Sequence, residues 1–297
     1  MINFRYYVVS IIGIFIALAV GVVLGAGPLQ SRIQAGVTSS SHAPAADPML
    51  AAQADAEAAG LKALASSTLT GTLSSAQVAL IVLPGASDDD VTAIRSTLTD
   101  AGASVVGRVT LSDNWQSTSM SQYRTTLSTT LASHLASSAA KTASADGVVG
   151  YSITQVLTTT GAQTDLLRQI LTDESTPIMT IDEDPNGTAT AIVAVGPRAQ
   201  ATAVASQSPD AVTQSPDAWT GLAAALGATN GVLVGDASTR DAMVSQVRAS
   251  GTTVTTVDSV GTTLAAVDTA LALSAPATGA RAFGVGTGAQ SVIPSIK

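Results

Sequence analysis

The chain opens with a long apolar stretch, passes through a polar interval, and then alternates short apolar runs with amphipathic segments. From Tyr7 to Leu29 no residue is charged. That run of about 23 residues spans roughly 35 Å as a helix, enough to cross a hydrocarbon core with some tilt. A secretory signal has a shorter apolar region, about 7 to 15 residues, and needs small residues before its cut. Here Leu24, Ala26 and Gly27 lead into Pro28, so residues 7–29 read as an uncleaved transmembrane helix. Arg5 and the free amine precede the span and only Arg32 closely follows it, which orients residues 1–6 to the cytoplasm and the bulk of the chain outside. No later apolar run is long enough to return.

Within the span, Gly13, Ala17, Gly21 and Gly25 recur every fourth residue, a row of small side chains that lets two membrane helices approach closely. Residues 30–46 include "AGVTSSSHAPAA", small and turn-forming, and read as a flexible tether. A stalk helix is expected over 47–70. Asp47 and Pro48 supply its cap and first residue, and Leu50, Ala54, Ala58, Leu61 and Ala65 lie on one stripe. Alanine is a poor knob and Gly60 interrupts the stripe, so a coiled coil here is weak or short; the alternative is a helix packed on its own domain.

From Gln77 the rhythm changes. "VALIVLPGA" has the continuous apolar character of a strand covered on both faces. Asp88, Asp89 and Asp90 then open a helix carrying Val91, Ile94, Leu98 and Ala101 on one face, which stops at Gly102 before the strand "SVVGRVTL". Strand, helix and strand joined by short turns make a βαβ unit, whose crossover requires parallel pairing. Residues 112–144 are polar, with a helix expected around 123–135 and Asp113 and Trp115 in an irregular lead-in. A helix bearing Leu166, Leu167, Ile170 and Leu171 precedes the strand "IMTID", and "DPNG" turns towards "ATAIVAVGP". After a loop with Pro209 and Pro216 come three helix–strand units: 219–226 with "GVLVGD", 238–249 with "TTVTTVD", and a helix bearing Leu264, Val267 and Leu271 with "ARAFGV". The expected fold is therefore α/β: a Rossmann-like module over 77–297 with a mostly parallel sheet and flanking helices, preceded by one transmembrane helix and a short stalk helix.

Charge and composition narrow the chemistry. A net charge of −8 with only 11% charged residues repels phosphate backbones, so nucleic acid is not an expected partner. The absence of cysteine removes disulfides, zinc-thiolate sites and thiol chemistry. Ligands of open parallel sheets bind beyond the carboxyl ends of the strands, and three expected strands end in carboxylates, Asp182, Asp236 and Asp258. If those strands are neighbours, the acids converge into a cluster suited to a hard cation or an amine; otherwise each caps the turn that follows. "GVGTG" carries Gly284, Gly286 and Gly288 but has no following helix, so it reads as a turn. His42 and His134 are isolated, and lysine occurs only at Lys62, Lys141 and Lys297. Acid–base work would fall almost wholly on carboxylates, so a non-enzymatic module without catalytic residues, cofactor or metal is the more economical reading.

Three stretches carry a resemblance: "MINFRYYVVSIIGIFIALAVGVVLG", a buried strand ending in "LPGA" beyond a helical stalk, and "GARAFGVGTGAQSVIP". Together they resemble the actinobacterial MctB/SteB family, often labelled copper transporter. The resemblance implies a single-pass envelope protein with an extracytoplasmic Rossmann-like module. One account of the family is copper homeostasis, with an outer-membrane channel. The other is cell separation, in which a SteB-type protein works with a cytosolic, membrane-associated SteA-like partner to control a RipA-like peptidoglycan hydrolase. This chain departs from the family in having Tyr7 where His is more usual and a short, alanine-rich stalk where others have longer heptads. Copper handling calls for thiolate, thioether or imidazole ligands, and here Met49, Met120, Met179 and Met243 are scattered singly. One helix cannot enclose a pore. Of the two accounts that the resemblance implies, the residue chemistry fits better the plasma-membrane scaffold and regulator of cell separation, expected to act as a homodimer. On that account its cytoplasmic contacts are expected at Asn3, Phe4, Arg5 and Tyr6, and its outer module is expected to meet a hydrolase or another envelope protein; copper homeostasis is the alternative. Replacing Gly21 and Gly25 with Leu is predicted to weaken self-association in membranes; an unchanged cross-linking yield would remove the packing role from this face.

Overall fold

Gln77–Val82 forms β1, and every residue after Gln77 is buried, the state expected of a strand with helices on both sides. The structure, a computed structural model, describes residues 48–187, 189–199, 214–275 and 281–294. The expected span at 7–29, its Gly13, Ala17, Gly21 and Gly25 face, the tether 30–46 and the cytoplasmic residues Asn3, Phe4, Arg5 and Tyr6 lie outside the described residues. The chain divides into residues 1–53 and 54–297. Of the first unit only 48–53 are described, as exposed opening turns of a helix, α1 (Pro48–Leu69).

The second unit follows the expected alternation. After β1 come α2 (Asp88–Asp100) and β2 (Ser104–Leu111), and the two strands pair in parallel. Val91, Ile94 and Leu98 are buried as the stripe required, and Gly102, with φ of +95°, ends the helix in the left-handed region. A helical excursion follows: α3 (Asp113–Gln116), a 3₁₀ turn (Thr118–Met120), α4 (Ser121–His134), α5 (Ser138–Lys141), α6 (Ala145–Thr158) and α7 (Ala162–Leu171). The pattern did not single out α6, because Val148, Val149, Ile153, Val156 and Leu157 are buried all round it and a helix enclosed by others shows no single apolar stripe. The chain then forms β3 (Met179–Glu183) and β4 (Ala191–Val195), and continues through α8 (Pro216–Gly227), β5 (Gly231–Val234), α9 (Met243–Ala249), β6 (Thr255–Val257), α10 (Thr263–Ser274) and β7 (Arg281–Phe283). Pro216, expected in a loop, is the first residue of α8, where its missing N–H is no loss. The helix expected from 238 begins only at Met243.

The sheet order is β3-β2-β1-β4-β5-β6-β7. Every pair is parallel except β2 with β3. Alternate residues of β1 divide the two cores. Ala79 and Ile81 join Trp115, Leu131, Ile153 and Leu222 beneath α3, α4, α6 and α8. Val78, Leu80 and Val82 join Ile94, Leu98 and Ala270 beneath α2 and α10. The last turns of α1 belong to this second core through Ala65 and Leu69, with Leu61 packed against it. On the stripe expected for the stalk, Leu50 and Ala54 are exposed and Ala58 and Leu61 are half-buried. Close approach elsewhere depends on glycine: a Cβ on Gly150 of α6 would lie 2.7 Å from the carbonyl oxygen of Gly221 in α8.

One core residue is out of character. Asp268 in α10 is fully buried, and among the described residues neither carboxylate oxygen has a hydrogen-bond partner. Burial, aided by the negative charge of Asp258, pushes its carboxyl up to about 7. The folded state thus holds this proton more tightly than the unfolded chain, and stability falls as pH rises from near the ordinary carboxylate value towards 7. Asp268→Asn is therefore predicted to raise Tm by about 5 °C or more at pH 8, the gain vanishing near pH 4, as thermal melts across that range would show.

Candidate functional site

The chain leaves β1 towards β2 on one side and later returns to place β4 on the other. Loops beyond the carboxyl ends of β1 and β4 therefore diverge, and the gap between them is where such sheets bind ligands. A cleft of about 940 Å³ lies there. Pro84 and Gly85 enter it after β1, Pro197 and Arg198 after β4, and Asp236 after β5. Gly85, at φ of +80°, makes the first of these turns. Met243 contributes the start of α9, and its side chain occupies the space a Cβ on Gly196 or Gly235 would need.

The facing wall is α3, with Asp113 and Gln116 lining the cleft. A single buried guanidinium holds that wall. Arg124 donates from Nη1 to the carbonyls of Ser117 (2.7 Å) and Asn114 (3.3 Å), and from Nε to Asp146 Oδ1 (2.5 Å). The Ser215 amide donates to the Gln116 carbonyl at 2.7 Å, which seats the start of α8 beside α3. Trp219 Nε1 then donates to Gln116 Oε1 at 3.5 Å. Arg198 is engaged away from the cleft: Nε and Nη2 donate to the two oxygens of buried Asp90, each at 2.7 Å, a bidentate pair.

The three strand-end acids do not converge. Asp182 lies on the edge strand β3, four strand spacings or about 19 Å from β5, and β3 runs against the rest of the sheet. Its carboxylate accepts from Thr110 Oγ1 at 2.6 Å and lies 3.3 Å from Arg108 Nε. The sequence showed that residues 179–182 form a strand, but not that the helices between β2 and β3 deliver the chain to the sheet's carboxyl edge, from which it can only run back. Asp236 and Asp258 do border one small cavity of about 140 Å³, but each has a structural task. Asp236 Oδ1 accepts the Ser238 amide at 2.7 Å and so shapes its turn.

Asp258, almost wholly buried, accepts from Ser259 Oγ, the amides of Val285 and Gly286, and Arg248 Nη1, at 2.7, 2.8, 2.9 and 2.9 Å. Burial opposes its charge, but these hydrogen bonds outweigh burial and hold the carboxyl below its usual range. The glycine-rich "GVGTG" loop is thus a cradle for the protein's own carboxylate. Gly284, at φ of +120°, has no room for a Cβ beside Asp258. Among the described residues no group of three His, Cys, Asp or Glu side chains is placed to hold a metal ion.

Residues 1–294 match the family described as copper transport outer membrane protein, MctB. The chain belongs to that family. A comparison with curated proteins returns no match. Among the described residues no helix is long and apolar enough to cross a membrane. Arg124→Met is predicted to cost about 3 kcal/mol, because it strands a largely buried Asp146. It should also speed hydrogen exchange in residues 113–117; protection as in the parent would show that another contact holds the cleft wall.

Proposed function

We propose that this member of the MctB family is a single-pass, membrane-anchored scaffold of the cell envelope that regulates cell separation, linking a SteA-like cytosolic partner to control of a RipA-like peptidoglycan hydrolase. The observation that carries the reading is the character of α1. Its last turns are rooted in the folded core through Ala65 and Leu69, whereas Leu50 and Leu64, two heptads apart, are 66% and 68% exposed. Exposed leucines at heptad spacing, with Glu57 at the same heptad position between them, suit a short contact with another helix, from a second copy of the chain or from an envelope protein. Gly60 and the alanines keep any such contact short. On the inner side, Asn3, Phe4, Arg5 and Tyr6 are the contacts assigned to the SteA-like protein.

The family description favours a second reading, copper handling. The donor chemistry supports it less. The chain has no cysteine, Met179 and Met243 are buried in the apolar core, and His134 Nδ1 is hydrogen-bonded to Gln163 Oε1 at 2.6 Å. Soft cuprous ions need thioethers, thiolates or imidazoles that converge.

A tagged full-length chain, captured from solubilised envelope and analysed by mass spectrometry, is predicted to retain a wall hydrolase and a second copy of itself. Leu50→Asp with Leu64→Asp should lower both recoveries at least about fivefold, since a charge placed in a helix seam removes its apolar contact. Loss of neither would sink the scaffold reading. A saturable, stoichiometric copper site in calorimetry would favour the second.

A further inference from the structure

We infer that the cleft between β1 and β4 binds a small hydroxylated amine: a protonated nitrogen carried on a skeleton with hydroxyl or carbonyl acceptors. The inference is independent of the scaffold reading and rests on three properties of the cleft. The first is shape. At about 940 Å³ it lies at the upper end of the range for small-molecule sites and occupies the position where open α/β sheets bind ligands.

The second is charge. Asp113, Asp236 and Asp241 line the cleft. Among the described residues the side chains of Asp113 and Asp241 take part in no hydrogen bond or ion pair, while Asp236 accepts one amide through Oδ1. The cation on the wall, Arg198, has its charge matched by Asp90. A concave, acidic surface concentrates potential and attracts cations; the same surface repels the phosphates that this fold position often holds. The carboxylates are not grouped closely enough for a metal ion, so separate anchoring of an organic cation fits them better than chelation.

The third property is a polar group that the protein leaves unspent. Gln116 is only 5% exposed and lines the cleft. Its side chain makes one hydrogen bond among the described residues, accepting the indole N–H of Trp219 at the long distance of 3.5 Å. Because an indole nitrogen only donates, it must meet the amide oxygen, which leaves the amide nitrogen without a partner. This nitrogen is not among the atoms closed off from solvent, so an acceptor on a ligand can take the place of water there. Here it faces the cleft and calls for an acceptor on whatever enters. Cation-seeking acids and an acceptor-seeking amide, beside an indole that also lines the cleft, define the ligand class.

The test is calorimetric titration of the full-length chain in detergent solution with D-glucosamine, using D-glucose as the uncharged comparison. Glucosamine should bind saturably, one per chain, and at least about tenfold more tightly than glucose, as charge-assisted contacts require. The double variant Asp113→Asn with Asp241→Asn alters only exposed side chains and should weaken glucosamine binding about tenfold with an unchanged melting temperature. Gln116→Leu should narrow the preference for glucosamine over ethylamine, which lacks the acceptors. Absence of saturable binding, equal binding of glucose, or parental affinity in the double variant would each overturn the assignment.

Discussion

β1 has hydrogen-bonded neighbours on both edges and helices on both faces, so Val78 to Val82 cannot reach water, and the chain must leave the strand through Pro84 and Gly85. That burial propagates outward. Each side of β1 requires its own helical layer, the layers require crossovers in opposite directions, and opposite crossovers open the cleft between β1 and β4. The cleft is therefore a by-product of covering one apolar strand completely.

Charges are scarce, and their placement follows from the same geometry. Arg198 with Asp90 ties the end of β4 to α2, Arg248 with Asp258 ties α9 to β6, Arg124 with Asp146 ties α4 to α6, and Arg95 with Glu183 ties α2 to β3. These pairs join segments that meet only in the folded state, and one of them engages Arg198 on the cleft wall. The acidity of the cleft comes from Asp113, Asp236 and Asp241, with Arg198 already paired. Asp258 illustrates the tuning involved: burial alone would favour its neutral form, yet two loop amides, a hydroxyl and Arg248 keep it charged. Asp268, with no such partners among the described residues, goes the other way.

Two surfaces follow, with different chemistry. The exposed turns of α1 are helical and carry Leu50 and Leu64 at heptad spacing, suited to another helix. The cleft is polar, concave and acidic, suited to a small cation. α10 and the last turns of α1 lie on the opposite face of the sheet from α4, α6 and α8, whereas the cleft stands at the strand ends.

The residues alone determined the double burial of β1, because an unbroken apolar run of strand length can only be covered twice. They determined the stripe and stop of α2, because Val91, Ile94 and Leu98 repeat at helical spacing before Gly102, and they marked "GVGTG" as a turn because no helix follows it. They also pointed to carboxylates that shape turns, as Asp236 does. The direction of β3, the separation of Asp182 from Asp236 and Asp258, and the assembly of Asp113, Gln116, Arg198 and Trp219 around one cleft were decided only by the tertiary structure. The physical reason is that local periodicity reports which faces avoid water. Strand order and strand direction depend instead on where the intervening helices deposit the chain, and that is set by packing between residues a hundred positions apart.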